Sequence, residues 1–135
     1  MPEQPEDMQE IARRIHLALD DSDLGAFGEL LDPEVHWGAP GASNPTCKNR
    51  DQVVSWYLRA KASGVEGRVC EVEVEGPHVL VGLTVRGTQQ AEQRGGAALR
   101  WQVYTVRDRR VIDIVGFDDH SDAIAFSQAP LRSDI

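Results

Sequence analysis

The chain has no apolar run long enough to span a membrane, no basic leader, and only two cysteines in 135 residues. Each absence removes a class of protein. Without about 20 consecutive apolar residues there is no membrane helix. The opening stretch MPEQPED is acidic and polar, with neither the charged start nor the apolar centre of a secretory leader. The expected location is therefore the cytoplasm, where Cys47 and Cys70 stay free thiols. They form no CxxC pair, and no His or Cys set stands at metal spacing, so neither a metal nor any other cofactor is expected. Asn44-Pro45-Thr46 is no glycosylation triplet, because Pro occupies its middle position. Basic charge is scarce too. The net charge is −8 and no Lys/Arg cluster exceeds Arg107–Arg110, which argues against a nucleic-acid partner.

What is present is the composition of one soluble domain. The hydrophobic fraction is 41%, with three Trp, and 27% of residues are charged. That is enough to bury a core at this length. Residues 1–6 read as a loose lead-in and residues 128–135 as a frayed tail, leaving a single domain over residues 1–135. Met8, Ile11, Ile15 and Leu19 recur at helical spacing. The Asp20–Asp23 run breaks that helix and caps a second one, carrying Leu24, Phe27, Leu30 and Leu31 and stopping before Pro33. Val35-His36-Trp37 reads as a short strand, and Gly38–Asn49 as a loop. A third helix is predicted over Arg50–Ala62, with a broad apolar face (Val53, Val54, Trp56, Tyr57, Leu58) that implies heavy burial.

After Gly64 the period becomes two. Residues 69–75 form a strand with Cys70, Val72 and Val74 inward and the glutamates outward. Val79–Gly87 alternates an apolar set (Val79, Val81, Leu83, Val85) with a mixed one (Leu80, Gly82, Thr84, Arg86). After a polar loop over Thr88–Gly96, Ala97–Val106 and Val111–Phe117 pair as a hairpin across Arg107–Arg110, and Ser121–Phe126 is a last helical segment. The order of elements predicts an α+β fold. Three N-terminal helices pack on a curved antiparallel sheet, a cone with a cavity between sheet and helices.

The hairpin carries a family resemblance. Its strand from Val103, its charged turn Arg107-Asp108-Arg109-Arg110, its second strand ending at Phe117, and Asp119-x-x-x-Ala123-Ile124 resemble the C-terminal signature of SnoaL-like proteins. These belong to the nuclear transport factor 2-like (cystatin-like) superfamily. Leu31-Asp32-Pro33-Glu34-Val35-His36-Trp37 and Cys47-Lys48-Asn49-Arg50-Asp51-Gln52-Val53-Val54 resemble two earlier landmarks. Arg109 departs from the pattern, standing where Gly is usual.

The superfamily includes polyketide cyclases, ketosteroid isomerases, limonene epoxide hydrolases and non-catalytic binding modules, so the resemblance implies a fold more than an activity. By that resemblance the isomerases' general-base Asp would fall at Trp37 or Gly38, and their neutral Asp at Val103. The epoxide hydrolases' Arg and two Asp would fall at Gly82, Thr84 and Gly116. Neither acidic set is here, which disfavours both chemistries.

The same correspondences set a parity for the sheet. One face would line the cavity with Leu80, Gly82, Thr84, Arg86, Trp101, Val103, Thr105, Ile112, Ile114, Gly116 and Asp118. Val79, Val81, Leu83, Val85, Tyr104, Val115 and Phe117 would then face outward, needing a cover that a homodimer would supply. The opposite parity stays open, since a slip of one residue flips every side chain.

On the first parity Arg86 could orient a carbonyl or anionic substrate, with Asp118 as a base if burial raised its pKa and His36 as a third polar group. The bland alternative puts Arg86 and Asp118 in solvent at strand ends, and it carries more weight because lone charges seldom prove catalytic. Trp37, Trp56 and Trp101 could line a pocket with Thr84, Val103 and Gly116, or serve as plain core; Trp37 has the best claim to a rim and Trp56 the weakest. His120 fits a helix cap with Asp119 and Ser121, and Asp113 sits alone in an apolar run. Two functions remain. One is a domain binding a small apolar molecule. The other is a cyclase- or isomerase-like enzyme doing acid–base chemistry on a carbonyl compound.

Overall fold

A computed structural model of the chain describes residues 5–21, 23–38, 47–88, 92–93 and 95–128. Most of the lead-in, the Gly/Pro loop over 39–46, part of the polar loop after Thr88 and the tail from 129 lie outside the described residues. The elements are α1 (Pro5–Asp20), α2 (Leu24–Glu29), β1 (Leu31–Gly38), α3 (Arg50–Ala62), β2 (Glu66–Glu75), β3 (His78–Arg86), β4 (Ala98–Arg107), β5 (Arg110–Phe117) and α4 (His120–Gln128). Among them no helix is long and apolar enough to cross a membrane.

The helices form where their caps and apolar spacing direct. Met8, Ile11, Ala12, Ile15 and Ala18 of α1 are buried along one stripe, while Arg13 and Arg14 are exposed. The Asp23 carboxylate accepts the Ala26 N–H at 3.0 Å and starts α2. At α3 the Asn49 side chain accepts from Gln52 N–H at 2.9 Å, and Gln52 Oε1 accepts from Lys48 N–H at 2.7 Å. The broad apolar face of α3 is less buried than its sequence implies. Only Val53 is fully buried, while Trp56 and Leu58 are exposed.

The five strands form one sheet in the order β1-β5-β4-β3-β2. All neighbours are antiparallel except β1, which lies parallel to β5. β1 is also longer than expected: it runs Leu31–Gly38, past Pro33, and takes in Leu31, which the spacing had assigned to the second helix, because α2 ends at Glu29. Pro33 is tolerated because β1 is an edge strand. In β2 a bulge between Val69 and Glu71 turns Cys70 out to solvent instead of inward. The Val69 N–H donates to the Asp20 carboxylate at 2.8 Å, tying the end of α1 to this irregularity. The β4–β5 turn has φ of 54° at Asp108 and 66° at Arg109, so two non-Gly residues take the left-handed region that a two-residue hairpin turn needs.

The sheet is covered on both faces, and this corrects the expected parity of β3 and β4. Val79, Val81, Leu83, Val85 and Tyr104 lie under the helices, in one core with Phe27, Ile15, Val53 and Ile114. On the other face Leu80, Trp101, Val103, Val115 and Phe117 form a second core, closed by Ala123, Ile124 and Phe126 of α4. Gly116 pairs with Gln102, so Gln102 and not Trp101 shares its face. The apolar residues for which a dimer seemed the needed cover are thus covered within the chain.

His78 lies buried below α4, its Nδ1 3.0 Å from Thr105 Oγ1 and its ring 6.0 Å from that of Phe126. Burial holds its pKa below the ordinary histidine value of 6.5. The unfolded chain therefore takes up the proton first, and the stability this neutral ring contributes is lost as pH falls below about 6.5. A His78→Gln variant is expected to show a flatter loss of stability between pH 7 and 5, measured by urea unfolding at each pH.

Candidate functional site

Between α1, α3 and the helix-covered face of the sheet lies a cavity of about 300 Å³. That is room for on the order of ten water molecules, at the small end of ligand sites. Its apolar wall includes Leu19, Leu24, Val65, Leu83 and Val85. Trp37, Trp56 and Tyr57 form its aromatic wall. Trp37 stacks on Tyr57 with ring centres 5.2 Å apart, and Trp56 meets Trp37 edge-on at 4.3 Å. Phe27 supports Tyr57 from behind at 5.1 Å.

The polar part of the cavity comes from alternate residues of β4. Arg100 and Gln102 line it, and Tyr104 lies two residues further on the same face. Tyr104 O–H donates to Gln102 Oε1 at 2.5 Å, and Gln102 Nε2 donates to the Tyr57 hydroxyl oxygen at 3.2 Å. Tyr57 keeps its own proton, for which Gln102 Oε1, at a long 3.5 Å, and the neighbouring Tyr104 hydroxyl oxygen are acceptors within the protein that a ligand oxygen would have to displace. Burial pushes the Tyr57 pKa up, against the lowering effect of its hydrogen-bond contacts with Tyr104 and Gln102, and burial pushes Tyr104 well above its ordinary value. Both phenols are therefore protonated donors at neutral pH.

Arg100 reaches across β5, where Gly116 leaves it room. A Cβ built on Gly116 would stand 3.0 Å from Arg100 Nη2. The guanidinium Nη1 pairs there with the Asp118 carboxylate, which is exposed. No Asp, Glu or His is among the described lining residues, whereas Lys61 joins Arg100 in supplying positive charge.

The sequence candidates divide accordingly. Trp37 and Trp56 line the cavity, and Gly116 bears on it through Arg100. Trp56 is the surprise, a rim residue where core was the heavier expectation. Asp118 is near the site, but its partner is Arg100 and not Arg86, which lies exposed at the end of β3. Trp101 and Val103 belong to the core under α4, and Thr84 pairs with Leu99 on that same outer face. His36 is exposed and pairs in register with Asp113, which also faces away from the cavity. Burial raises the Asp113 pKa, opposed by the neighbouring His36. Of the expected cap on the last helix, Asp119 plays its part but His120 turns elsewhere. It bonds Glu73 at 2.8 Å and stacks on Trp101 at 4.1 Å, while Asp119 accepts from the Ser121 N–H.

Arg100, Gln102 and Tyr57 were missed as site residues. One signal was available: Arg100, Gln102 and Tyr104 place three hydrogen-bonding side chains at a period of two in an interior strand. Among the described residues no group of three or more His, Cys, Asp or Glu is placed to hold a metal.

The sequence matches the SnoaL-like domain family over residues 12–114. No curated protein matches it. Solved structures do. A candidate polyketide cyclase from Sinorhizobium meliloti is 21% identical with a TM-score of 0.63, covering 85% of this chain and 100% of its own. A candidate ketosteroid isomerase from Kribbella flavida is 16% identical with a TM-score of 0.68, covering 85% and 79%. A candidate SnoaL-like polyketide cyclase from Jannaschia sp. CCS1 is 20% identical with a TM-score of 0.65, covering 96% and 99%. At such identities the likeness is one of fold.

Proposed function

The chain belongs to the SnoaL-like domain family, and on that footing we propose that its cavity binds one small, largely apolar molecule carrying an acceptor oxygen. One observation carries this reading. A donor chain, Tyr104 to Gln102 to Tyr57, ends on the wall of a largely apolar and aromatic cavity. A carbonyl oxygen would take the Tyr57 proton, and the aromatic wall would hold a flat or ring-shaped body. Cooperative polarisation along the chain strengthens that last donor.

The test uses small ring ketones, cyclohexanone and acetophenone among them, titrated against Trp fluorescence and followed by thermal shift. Binding is expected to raise the melting temperature. Tyr57→Phe should weaken it by about 0.5–1.5 kcal/mol, the net worth of one hydrogen bond. Ala60→Phe, which fills the cavity from α3, should abolish it. If no compound prefers the native protein over the filled variant, the cavity is not a binding site.

A second reading is an isomerase- or cyclase-like enzyme, the activities named for the three structural relatives above. The same Tyr57 donor would stabilise an enolate oxygen, and Asp118 would have to serve as the base. Its ion pair with Arg100 and the lack of an acidic group among the described lining residues favour binding without chemistry. Deuterium exchange next to the carbonyl of a bound ketone, followed by NMR, separates the two. Acceleration that Asp118→Asn removes would establish the enzyme; exchange at the solvent rate leaves the binding module.

A further inference from the structure

We propose that the ligand of this cavity is a carboxylate: a small monocarboxylic acid with a ring-shaped apolar body, whose anionic end meets Arg100. This rests on the reading above that the cavity binds a small, largely apolar molecule, and it makes the oxygen end anionic and moves it from the Tyr57 hydroxyl to Arg100. The first support is charge. The protein carries a net charge of −8, yet the only charged side chains among the described lining residues are Lys61 and Arg100, both cationic. Arg100 already shares its charge with the exposed Asp118, and with Lys61 beside it the cavity stays less negative than the surface around it, which favours an anion there.

The second support is geometry. Arg100 and Gln102 are alternate residues of β4 on one face, so one end of a small molecule can meet the guanidinium and the carboxamide together. The aromatic wall of Trp37, Trp56 and Tyr57 then receives the apolar body. The planar guanidinium presents five donors in a fork that fits a carboxylate with two parallel bonds, and the Asp118 contact uses Nη1.

The third support is the nature of the existing pair. The Asp118 side chain is 59% exposed and that of Arg100 35%. Pairs this open to water hold weakly. Asp118 therefore acts as a resident carboxylate that a ligand carboxylate can share Arg100 with or replace. Gly116 is what makes the arrangement possible, since a side chain there would press on the guanidinium.

The experiment compares acids with their uncharged amides at pH 7.5 and low salt. Benzoate, phenylacetate and cyclohexanecarboxylate are set against benzamide, phenylacetamide and cyclohexanecarboxamide, with Kd from Trp fluorescence. Each acid is expected to bind about tenfold or more tightly than its amide, as a charge-assisted hydrogen bond allows. Arg100→Gln should erase that preference while the amides still bind, and Asp118→Asn should tighten the acids alone. Arg100→Lys should fall between, keeping the charge but losing the fork. Should Arg100→Gln fail to fold, the native protein still decides, because the acid preference must shrink as salt rises. If acids and amides bind equally, or if the preference survives Arg100→Gln, the carboxylate proposal is overturned and the apolar-ligand reading stands. If acids, amides and ketones all fail to bind, both fall.

Discussion

Trp101→Ala is expected to cost about 3–5 kcal/mol of stability, the range for truncating a large buried aromatic, and to leave ligand affinity at the cavity nearly unchanged. Trp101 is 3% exposed and packs with Leu80, Val103, Val115 and Phe117 under α4. Its ring lies so close over Gly82 that a Cβ there would meet it at 3.0 Å, and His120 stacks against it at 4.1 Å. Its indole Nε1 is buried without a hydrogen-bond partner among the described residues, so truncation also relieves a desolvation cost and the effect falls toward the lower end of that range. Urea unfolding gives the stability, and titration of the folded variant gives the affinity. Trp37→Ala provides the contrast, since Trp37 stacks on Tyr57 within the cavity wall and its loss must weaken binding. Equal losses of affinity in the two variants would mean that the sheet faces have been assigned the wrong way round.

Phe27→Ala is expected to be as costly to stability, about 3–5 kcal/mol, and to weaken binding as well. Phe27 is fully buried in the helix-side core. It meets Tyr57 edge-on at 5.1 Å and Tyr104 at 6.3 Å, so it backs both phenols of the donor chain. Removing it leaves a cavity behind Tyr57, and the ring then loses the packing that aims its hydroxyl. The pair of variants separates two kinds of core. Each lowers the urea midpoint, but only the loss of Phe27 should reach the ligand. Unchanged affinity in Phe27→Ala would show that Gln102 alone orients Tyr57.

The helices were the most legible part of the chain. α3 runs from Arg50 to Ala62 as read from the sequence, because its apolar spacing after the Gly/Pro loop is a local signal that tertiary contacts do not overrule, and the structure adds an Asn49 cap at its start. The β4–β5 hairpin was equally plain, its charged turn standing between two strongly apolar runs. The parallel partnership of β1 with β5 was not legible. A strand's period says which residues share a face, and nothing in it says which neighbour the strand will choose.

The faces of β3 and β4 were lost for a related reason. A strand with one wet face alternates apolar with polar residues, and its inner side can be read directly. Residues 78–83 are all buried, three helices covering one side and α4 the other. With both faces apolar, the alternation that fixes parity disappears. Arg100, Gln102 and Tyr104 remained as a faint signal, since hydrogen-bonding side chains two apart in a buried strand must share one polar site.

By itself, then, the sequence determined the class of fold, the places of its helices apart from the end of α2, and the family, because these follow from local spacing, caps and motif order. Tertiary structure decided where the candidate site lies. Tyr57 of α3, Gln102 and Tyr104 of β4, and the Arg100–Asp118 pair are brought together only when the helices close over one particular face of the sheet. Packing on both faces chooses which face that is.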